Sequence, residues 1–385
     1  MGVAGNINYV VLKSSRTRNE AVLGTQDASG TTWVQVWDGS AWGNRIQIGG
    51  GGSATTRSFD IAYEKNGDRA IVAYNPTASA DFDYRIWNGT SWSSATTVSA
   101  PPTTGSINWI ELRQNPLSSS NDISLLLLDA NSDVYGMLWN GTSWGTMGTA
   151  AVWDATAATA TKKTIDVEYE QTSGKAMFMW GDSVAGDQYY RTWNGTTLSA
   201  ATQLTISTEG GLAEWIQLAA RPSSNEIMLG VQDAGADINT RKWSGSAWDT
   251  VTQHPEHEAS SENIASRNFD IVWETYPANA GKAWLMWGDG ATTTTRQWSG
   301  TAWGTASVLS GSDDTSFVRL RADPASIANP VFAVVYQNSS AAAGAREISS
   351  RELTNGGATW PAKTTIWGGT TSADPVFFRV DIAVP

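Results

Sequence analysis

The apolar residues of this chain come in runs of four to seven, rich in β-branched and aromatic side chains and broken by Gly, Asn, Asp and Ser. That is the pattern of strands bounded by turns. The stretch from Phe59 to Val98 shows it best, with four strands predicted at Phe59–Glu64, Arg69–Tyr74, Phe82–Trp87 and Trp92–Val98, and Asn66-Gly67-Asp68 turning the first into the second. Second strands such as Ile123–Leu128 and Ala176–Trp180 are apolar at almost every position, which predicts sheets covered on both faces. No segment sustains a 3.6-residue period, so helices should be nearly absent.

Between the third and fourth strands lies a six-residue knuckle, Trp87-Asn88-Gly89-Thr90-Ser91-Trp92. It returns as Trp37-Asp38-Gly39-Ser40-Ala41-Trp42, Trp139-Asn140-Gly141-Thr142-Ser143-Trp144, Trp243-Ser244-Gly245-Ser246-Ala247-Trp248 and Trp298-Ser299-Gly300-Thr301-Ala302-Trp303. Trp193-Asn194-Gly195-Thr196-Thr197-Leu198 loses the second Trp, and the copy from Leu353 to Trp360 loses the first and gains residues. The seven copies start at 37, 87, 139, 193, 243, 298 and 353, so the steps are 50, 52, 54, 50, 55 and 55 residues. A step this even marks a repeat architecture.

Four-stranded sheets covered on both faces and repeated in this way predict an all-β, seven-bladed β-propeller in one domain spanning 1–385. Its repeats fall at about 8–50, 57–100, 107–152, 164–206, 213–253, 267–310 and 316–368. A further strand at 376–384, Val380-Asp381-Ile382 within it, is expected to close the ring, with an eighth blade as the alternative. The repeats alternate. One kind opens as Asn108-Trp109-Ile110-Glu111-Leu112 and Glu214-Trp215-Ile216-Gln217-Leu218; the other opens on an acid pattern, Asp60 with Glu64, Asp166 with Glu170, and Asp270 with Glu274. Like kinds recur after 139 − 37 = 102 and 243 − 139 = 104 residues, so a two-repeat unit was multiplied.

Asn-Gly between strands predicts a tight hairpin. If a two-residue type I′ turn closes on Asn88 and Gly89, Trp87 faces Thr90 and Arg85 faces Trp92; a looser four-residue loop sets the two Trp rings opposite each other. Arg191, Arg241 and Arg296 repeat the Arg two positions before the first Trp, and a guanidinium over an indole contributes roughly 0.5–2 kcal/mol. The knuckle reads first as structural. Its functional alternative is that Arg85, Trp87, Trp92, Trp139, Trp144, Trp243, Trp248, Trp298 and Trp303 hold sugar rings.

Charge then narrows the partners. The formal net charge of −12 over 385 residues disfavours a phosphate backbone or an anionic membrane surface. With no cysteine there is no disulfide or thiol chemistry, and no apolar run is long enough for a transmembrane helix. Charged residues are only 16% of the chain, with Ser, Thr, Gly and Asn in their place, which suits an extracellular or cell-surface protein of prokaryotic type, expected as a monomer.

Candidate chemistry is sparse. Asp60, Asp166, Asp270 and Asp381 open the innermost strands, where converging carboxylates could bind a cation or serve as acid and base, or else pair with backbone amides or an Arg such as Arg113. Glu64, Glu170 and Glu274 are expected at solvated strand ends. The turns Asp129–Asp133, Gln232–Asp237 and Gly288–Gly290 offer oxygen ligands without a full calcium-loop spacing, so turn chemistry explains them, and no cofactor beyond a structural Ca2+ is expected. His254-Pro255-Glu256-His257-Glu258 gathers both histidines, a pair that could chelate a transition metal or cluster by chance. No nucleophile elbow or phosphate loop occurs. Asn88, Asn140, Asn194 and Asn338 begin glycosylation sequons, three of which owe their form to the knuckle.

The knuckle resembles that of fucose-binding lectin propellers, whose blades carry Trp-Asp-Gly-x-x-Trp, and Trp37-Asp38-Gly39-Ser40-Ala41-Trp42 matches it closely. The resemblance implies sugar held between blades by a Trp with an Arg and a Glu, but the Glu position, three before the first Trp, holds Val34, Tyr84, Gly136, Tyr190, Thr240 and Thr295. Asn88-Gly89-Thr90-Ser91-Trp92 is also similar to the Asp-box of sialidase-like propellers, itself a structural motif. The expectation is a non-enzymatic, lectin-like protein that binds carbohydrate. An adhesive module for protein contacts comes second and a glycoside hydrolase third.

Overall fold

The computed structural model describes residues 6–369 apart from 51, 54, 100–104, 149–150, 207–210, 251–253, 260, 262–266, 276–280, 291, 312–314, 324–330, 340–344 and 355–358. Among the described residues all regular structure is strand, arranged as seven antiparallel sheets whose strands follow chain order. Sheet 1 is β1 to β4 (Ile7–Ser14, Ala21–Asp27, Thr31–Trp37, Trp42–Gly50), sheet 2 β5 to β8 (Phe59–Tyr63, Ala70–Tyr74, Phe82–Trp87, Thr96–Val98) and sheet 3 β9 to β12 (Ile107–Gln114, Ile123–Asp129, Val134–Trp139, Trp144–Thr146). Sheet 4 is β13 to β16 (Ile165–Tyr169, Ala176–Gly181, Asp187–Trp193, Thr202–Thr205) and sheet 5 is β17 to β19 (Ala213–Ala220, Ile227–Asp233, Ile238–Trp243). Sheet 6 is β20 to β23 (Phe269–Trp273, Ala283–Asp289, Thr292–Trp298, Ser307–Val308) and sheet 7 is β24 to β27 (Thr315–Ala322, Val331–Ser339, Ala345–Glu352, Thr364–Gly369). Among the described residues six sheets thus have four strands and sheet 5 has three, with a Trp243–Trp248 bridge beyond the third.

The chain falls into two compact units divided between Leu204 and Thr205. In the first, the opening strands of neighbouring sheets lie side by side, β1 on β5, β5 on β9 and β9 on β13; in the second, β17 meets β20 and β20 meets β24. Sheets stacked in this way bury both faces, and every residue of β2, β6, β10 and β18 is accordingly buried. The predicted strands of the second repeat differ from β5 to β8 only at their ends, the fourth beginning at Thr96 rather than Trp92. The expected closing strand at 376–384, with Asp381, lies outside the described residues.

The knuckle takes its looser form. Bridges join Trp37 to Trp42, Trp87 to Trp92, Trp139 to Trp144, Trp243 to Trp248 and Trp298 to Trp303, each pair enclosing four loop residues. The type I′ alternative fails because only the glycine turns left-handed: φ is +96° at Gly89 and +94° at Gly141, whereas Asn88 and Asn140 keep negative φ. The Asn side chain replaces the second left-handed residue. Asn88 Oδ1 accepts from the backbone N–H of Thr90 and of Ser91, both at 2.9 Å, and Asn88 N–H donates to Ser91 O at 3.3 Å. Asp38 does the same for Ser40 and Ala41 at 2.8 Å, and these bonds, that from Ala41 first, hold its carboxyl below the usual range.

Candidate functional site

The acid pattern of the even sheets serves as a fastening between opening strands. Asp60 is buried; its Oδ2 accepts from Leu112 N–H of β9 at 2.9 Å and its Oδ1 pairs with the Arg57 guanidinium at 2.9 Å. Arg57, with no exposed side-chain surface, also pairs with Glu111 of β9. Asp270 repeats the arrangement, accepting from Leu320 N–H of β24 at 2.9 Å with Arg267, Arg319 and Arg321 close by. Asp166 meets Lys163 at 3.5 Å and Arg113 at 3.4 Å, and Arg113 Nε–H reaches Val167 O of β13 at 2.9 Å. These carboxylates lie where the sequence places them, with cations and backbone amides as neighbours. Among the described residues no group of three or more His, Asp or Glu side chains is disposed to hold a metal ion.

The partner glutamates are a correction, since they are buried and not solvated. Glu64 accepts from Trp139 Nε1–H at 2.7 Å and holds Arg69 at 2.6 and 2.7 Å; Glu20, its counterpart in sheet 1, accepts from Trp87 Nε1–H at 2.9 Å and Tyr63 O–H at 3.0 Å. Glu274 accepts from Trp284 Nε1–H at 2.8 Å, and Glu170 binds Lys175 at 2.9 Å. The first Trp of the knuckle in sheets 2 and 3 is therefore a buried link to the preceding sheet, 67 and 75 residues away. The second Trp turns back the same way: Trp92 Nε1–H donates to Asn44 O, Trp144 meets Phe82 and Tyr84 edge-on, and Trp303 Nε1–H donates to Thr240 Oγ1. Trp243 and Trp298 are buried as well, and Trp248 is half-buried.

The knuckle arginines hold the following strand. Arg85 Nη1–H donates to Ser93 O at 2.7 Å, Arg241 to Asp249 O, and Arg351 to Pro361 O at 2.5 Å and Ser310 O at 2.6 Å. Arg191 and Arg296 do lie over indoles, but over Trp153 and Trp287 and not over their own knuckles. The Asp-rich turns hold themselves: Asp129 Oδ1 accepts from Asn131 and Asp133 N–H and its Oδ2 from Gly105 N–H, with the same set repeated at Asp233. His254 and His257 both turn onto Thr240 Oγ1 at 2.8 Å.

Among the described residues a groove of about 630 Å³ lies between sheet 6 and the last knuckle of sheet 7. Trp284 of β21 and Trp360 line it at 86° to each other, ring centroids 5.5 Å apart. Gln297 of β22 pairs with Trp284 across the sheet and faces the same way, and Ser299, Ser307, Ser310 and Thr359 add hydroxyls. The Trp360 indole N–H is buried without an acceptor, a donor aimed at no protein atom. Arg351 fixes both rims through Ser310 and Pro361, and burial lowers its pKa. Arg296 and Trp303 border the groove, but their polar ends are engaged by His257 and Thr240. Sequence reading passed over Trp284, which sits inside an apolar strand, and treated Trp360 only as a displaced knuckle residue.

No protein-family model and no curated protein matches the chain. Solved structures do. The BP39L lectin from Burkholderia pseudomallei aligns over 94% of this chain and 100% of its own, with TM-score 0.62 and 12% identity. The Aleuria aurantia lectin, described as a six-bladed β-propeller with a novel fucose recognition mode, aligns over 95% of this chain and 97% of its own at TM-score 0.44 and 12% identity. AofleA from Arthrobotrys oligospora aligns over 81% and 89% at TM-score 0.46 and 10% identity. The likeness that the knuckle suggested therefore holds as a likeness of fold: this is an all-β chain of seven antiparallel sheets built like the BP39L lectin.

Proposed function

We propose that the chain is a non-enzymatic, secreted or cell-surface carbohydrate-binding protein whose sheets close as a single seven-bladed propeller. The observation that carries this reading is the sheet 6/7 groove. It offers an apolar wall of Trp284 and Trp360 packed edge to face, the Gln297 amide oxygen and a rim of hydroxyls. An apolar wall with a few convergent hydrogen-bonding groups is what a small-ligand site requires, and the volume lies within the usual roughly 300–1,000 Å³. A pyranose has that complementary character, with C–H faces to lie on indoles and hydroxyls to meet polar rims. The fold shared with a bacterial lectin supports the same class. The carboxylates that an enzyme would need are committed to Arg57, Arg267 and backbone amides.

A glycan array followed by calorimetry on the best ligand tests this reading. Trp360→Ala should weaken binding at least tenfold with the fold retained, while Asn88→Ala, in the knuckle of sheet 2, should leave affinity unchanged. An array with no saturable signal, or binding indifferent to Trp360, overturns it. One observation favours the adhesive alternative: Ile366 and Trp367 on the last strand of sheet 7 are 57% and 46% exposed, as a protein-contact edge would be.

A further inference from the structure

The linkers from sheet 3 to sheet 4 and from sheet 5 to sheet 6 close the groove between those sheets with the chain's own rings. Between sheets 3 and 4, Trp153 lies against Tyr135 of β11 and Phe178 and Trp180 of β14, with Arg191 over its face at 5.3 Å. Gly136 makes room for it, since a Cβ there would stand 2.1 Å from the indole. The neighbouring Asp154 accepts from Trp180 Nε1–H at 2.8 Å, and the linker pairs with β11 through Val134 N–H to Asp154 O and Trp153 N–H to Val134 O, both 2.8 Å.

Between sheets 5 and 6 the same joint is rebuilt in different chemistry. His257 stands at the place of Trp153 (257 − 153 = 104), Glu258 at that of Asp154 and Thr240 at that of Gly136. Ile238 N–H donates to Glu258 O at 2.8 Å and His257 N–H to Ile238 O at 2.9 Å, and Trp287 Nε1–H donates to Glu258 Oε2 at 3.2 Å. Here a second ring, His254, joins and stacks on Trp298 at 5.1 Å, while His257 meets Trp303 edge-on at 4.9 Å.

The polar atoms of this joint form one directed chain. Asp249 Oδ2 lies 2.6 Å from His254 Nε2, and a carboxylate accepts, so His254 carries its proton there and offers Nδ1 as acceptor. Arg296 Nη1 lies 3.4 Å from His257 Nδ1 and can only donate, so His257 carries its proton on Nε2. That N–H donates to Thr240 Oγ1, whose own proton goes to His254 Nδ1. Trp303 Nε1–H is shared between the second lone pair of Thr240 at 3.0 Å and His254 Nδ1 at 3.2 Å. Every position is used with both imidazoles neutral. A further proton on His257 Nδ1 would face the Arg296 guanidinium; one on His254 Nδ1 would bring a third donor onto Thr240 and strand its hydroxyl proton.

We propose that this joint is an acid-operated latch: proton uptake at His257, held between Thr240 and Arg296, frees the linker at His257-Glu258 from β19 and uncovers Trp298 and Trp303. The charged groups around it are Asp249 with Arg241 and Lys242 from sheet 5, Arg296 from β22, and Glu258 with nearby Asp289. Burial, then the Arg296 charge, hold His257 well below its ordinary 6.5. The freed imidazole titrates near its ordinary value, so below about pH 6.5 the open form binds more protons and falling pH favours it, by up to tenfold per pH unit for one proton. The inference concerns a groove other than that of sheets 6 and 7 and stands whether or not the chain binds sugar.

The sheet 3/4 joint supplies the control, because it has the same backbone pairing and an acid but no histidine. Amide hydrogen exchange, corrected for intrinsic rates, should show protection at His257 and Ile238 falling up to tenfold per pH unit between about pH 6.5 and 5, while Trp153 and Val134 stay level. The double variant T240G/H257W, which copies the Gly136–Trp153 pair, should make the two joints behave alike, and H257Q should flatten the profile. Parallel loss at both joints, level protection at both, or an H257Q profile like that of the wild type overturns the latch.

Discussion

Arg57 shows what a single side chain decides here. It is wholly buried between Asp60 and Glu111, so it joins two successive opening strands through charge. Removing one partner of a buried ion pair leaves an uncompensated charge, which typically costs about 3–5 kcal/mol. Asp60→Ala also strands the Leu112 N–H, so the urea midpoint should fall by at least that equivalent, whereas Asp38→Ala at an exposed loop should move it little. The sequence made Asp60, Asp166 and Asp270 visible as a periodic set, and even suggested amide or Arg partners. It could not show that Glu64 is buried, because Arg69 takes up its charge nearby while the indole that covers it comes 75 residues further on. A glutamate at the end of a strand reads as solvated until that indole is placed.

At the scale of strand and loop the reading was more complete. The four strands of each repeat and their knuckle follow from alternation and Gly punctuation alone, and the choice between two loop forms turned on Asn88 spending its side chain on the backbone. The linkers were harder. Trp153 and His257 occupy equivalent places, but one is a large indole opposite glycine and the other a small ring opposite threonine, so no common motif announced them. The volume exchange makes a test. Gly136→Val should displace Trp153 and destabilise by about 1–3 kcal/mol as an overpacked core does. Adding Trp153→Ala should recover part of that loss, a coupling that a double-mutant cycle measures directly.

For the whole chain, the repeat count came straight from the spacing of the knuckles, and the seven sheets match it. Function was less legible, because the groove between sheets 6 and 7 is built from Trp284, at a place inside its strand where the other sheets carry no Trp, and Trp360, the second Trp of the least regular knuckle. Regular positions do the joining and irregular ones leave space. Calorimetric titration should therefore saturate at fewer equivalents than the seven sheets, since the 3/4 and 5/6 grooves are filled by Trp153 and by His254 and His257. Seven equal sites would contradict that assignment. The alternation of acid-bearing and plain opening strands carries one more consequence, for how such a chain can lengthen or shorten. At the seams from sheet 2 to 3 and from sheet 6 to 7 an acid-bearing strand meets a plain one, as Asp60 finds Leu112 and Asp270 finds Leu320. Excising or inserting a single repeat at either seam would part the acid from its amide, so recombination that keeps these fastenings, natural or engineered, must proceed in pairs.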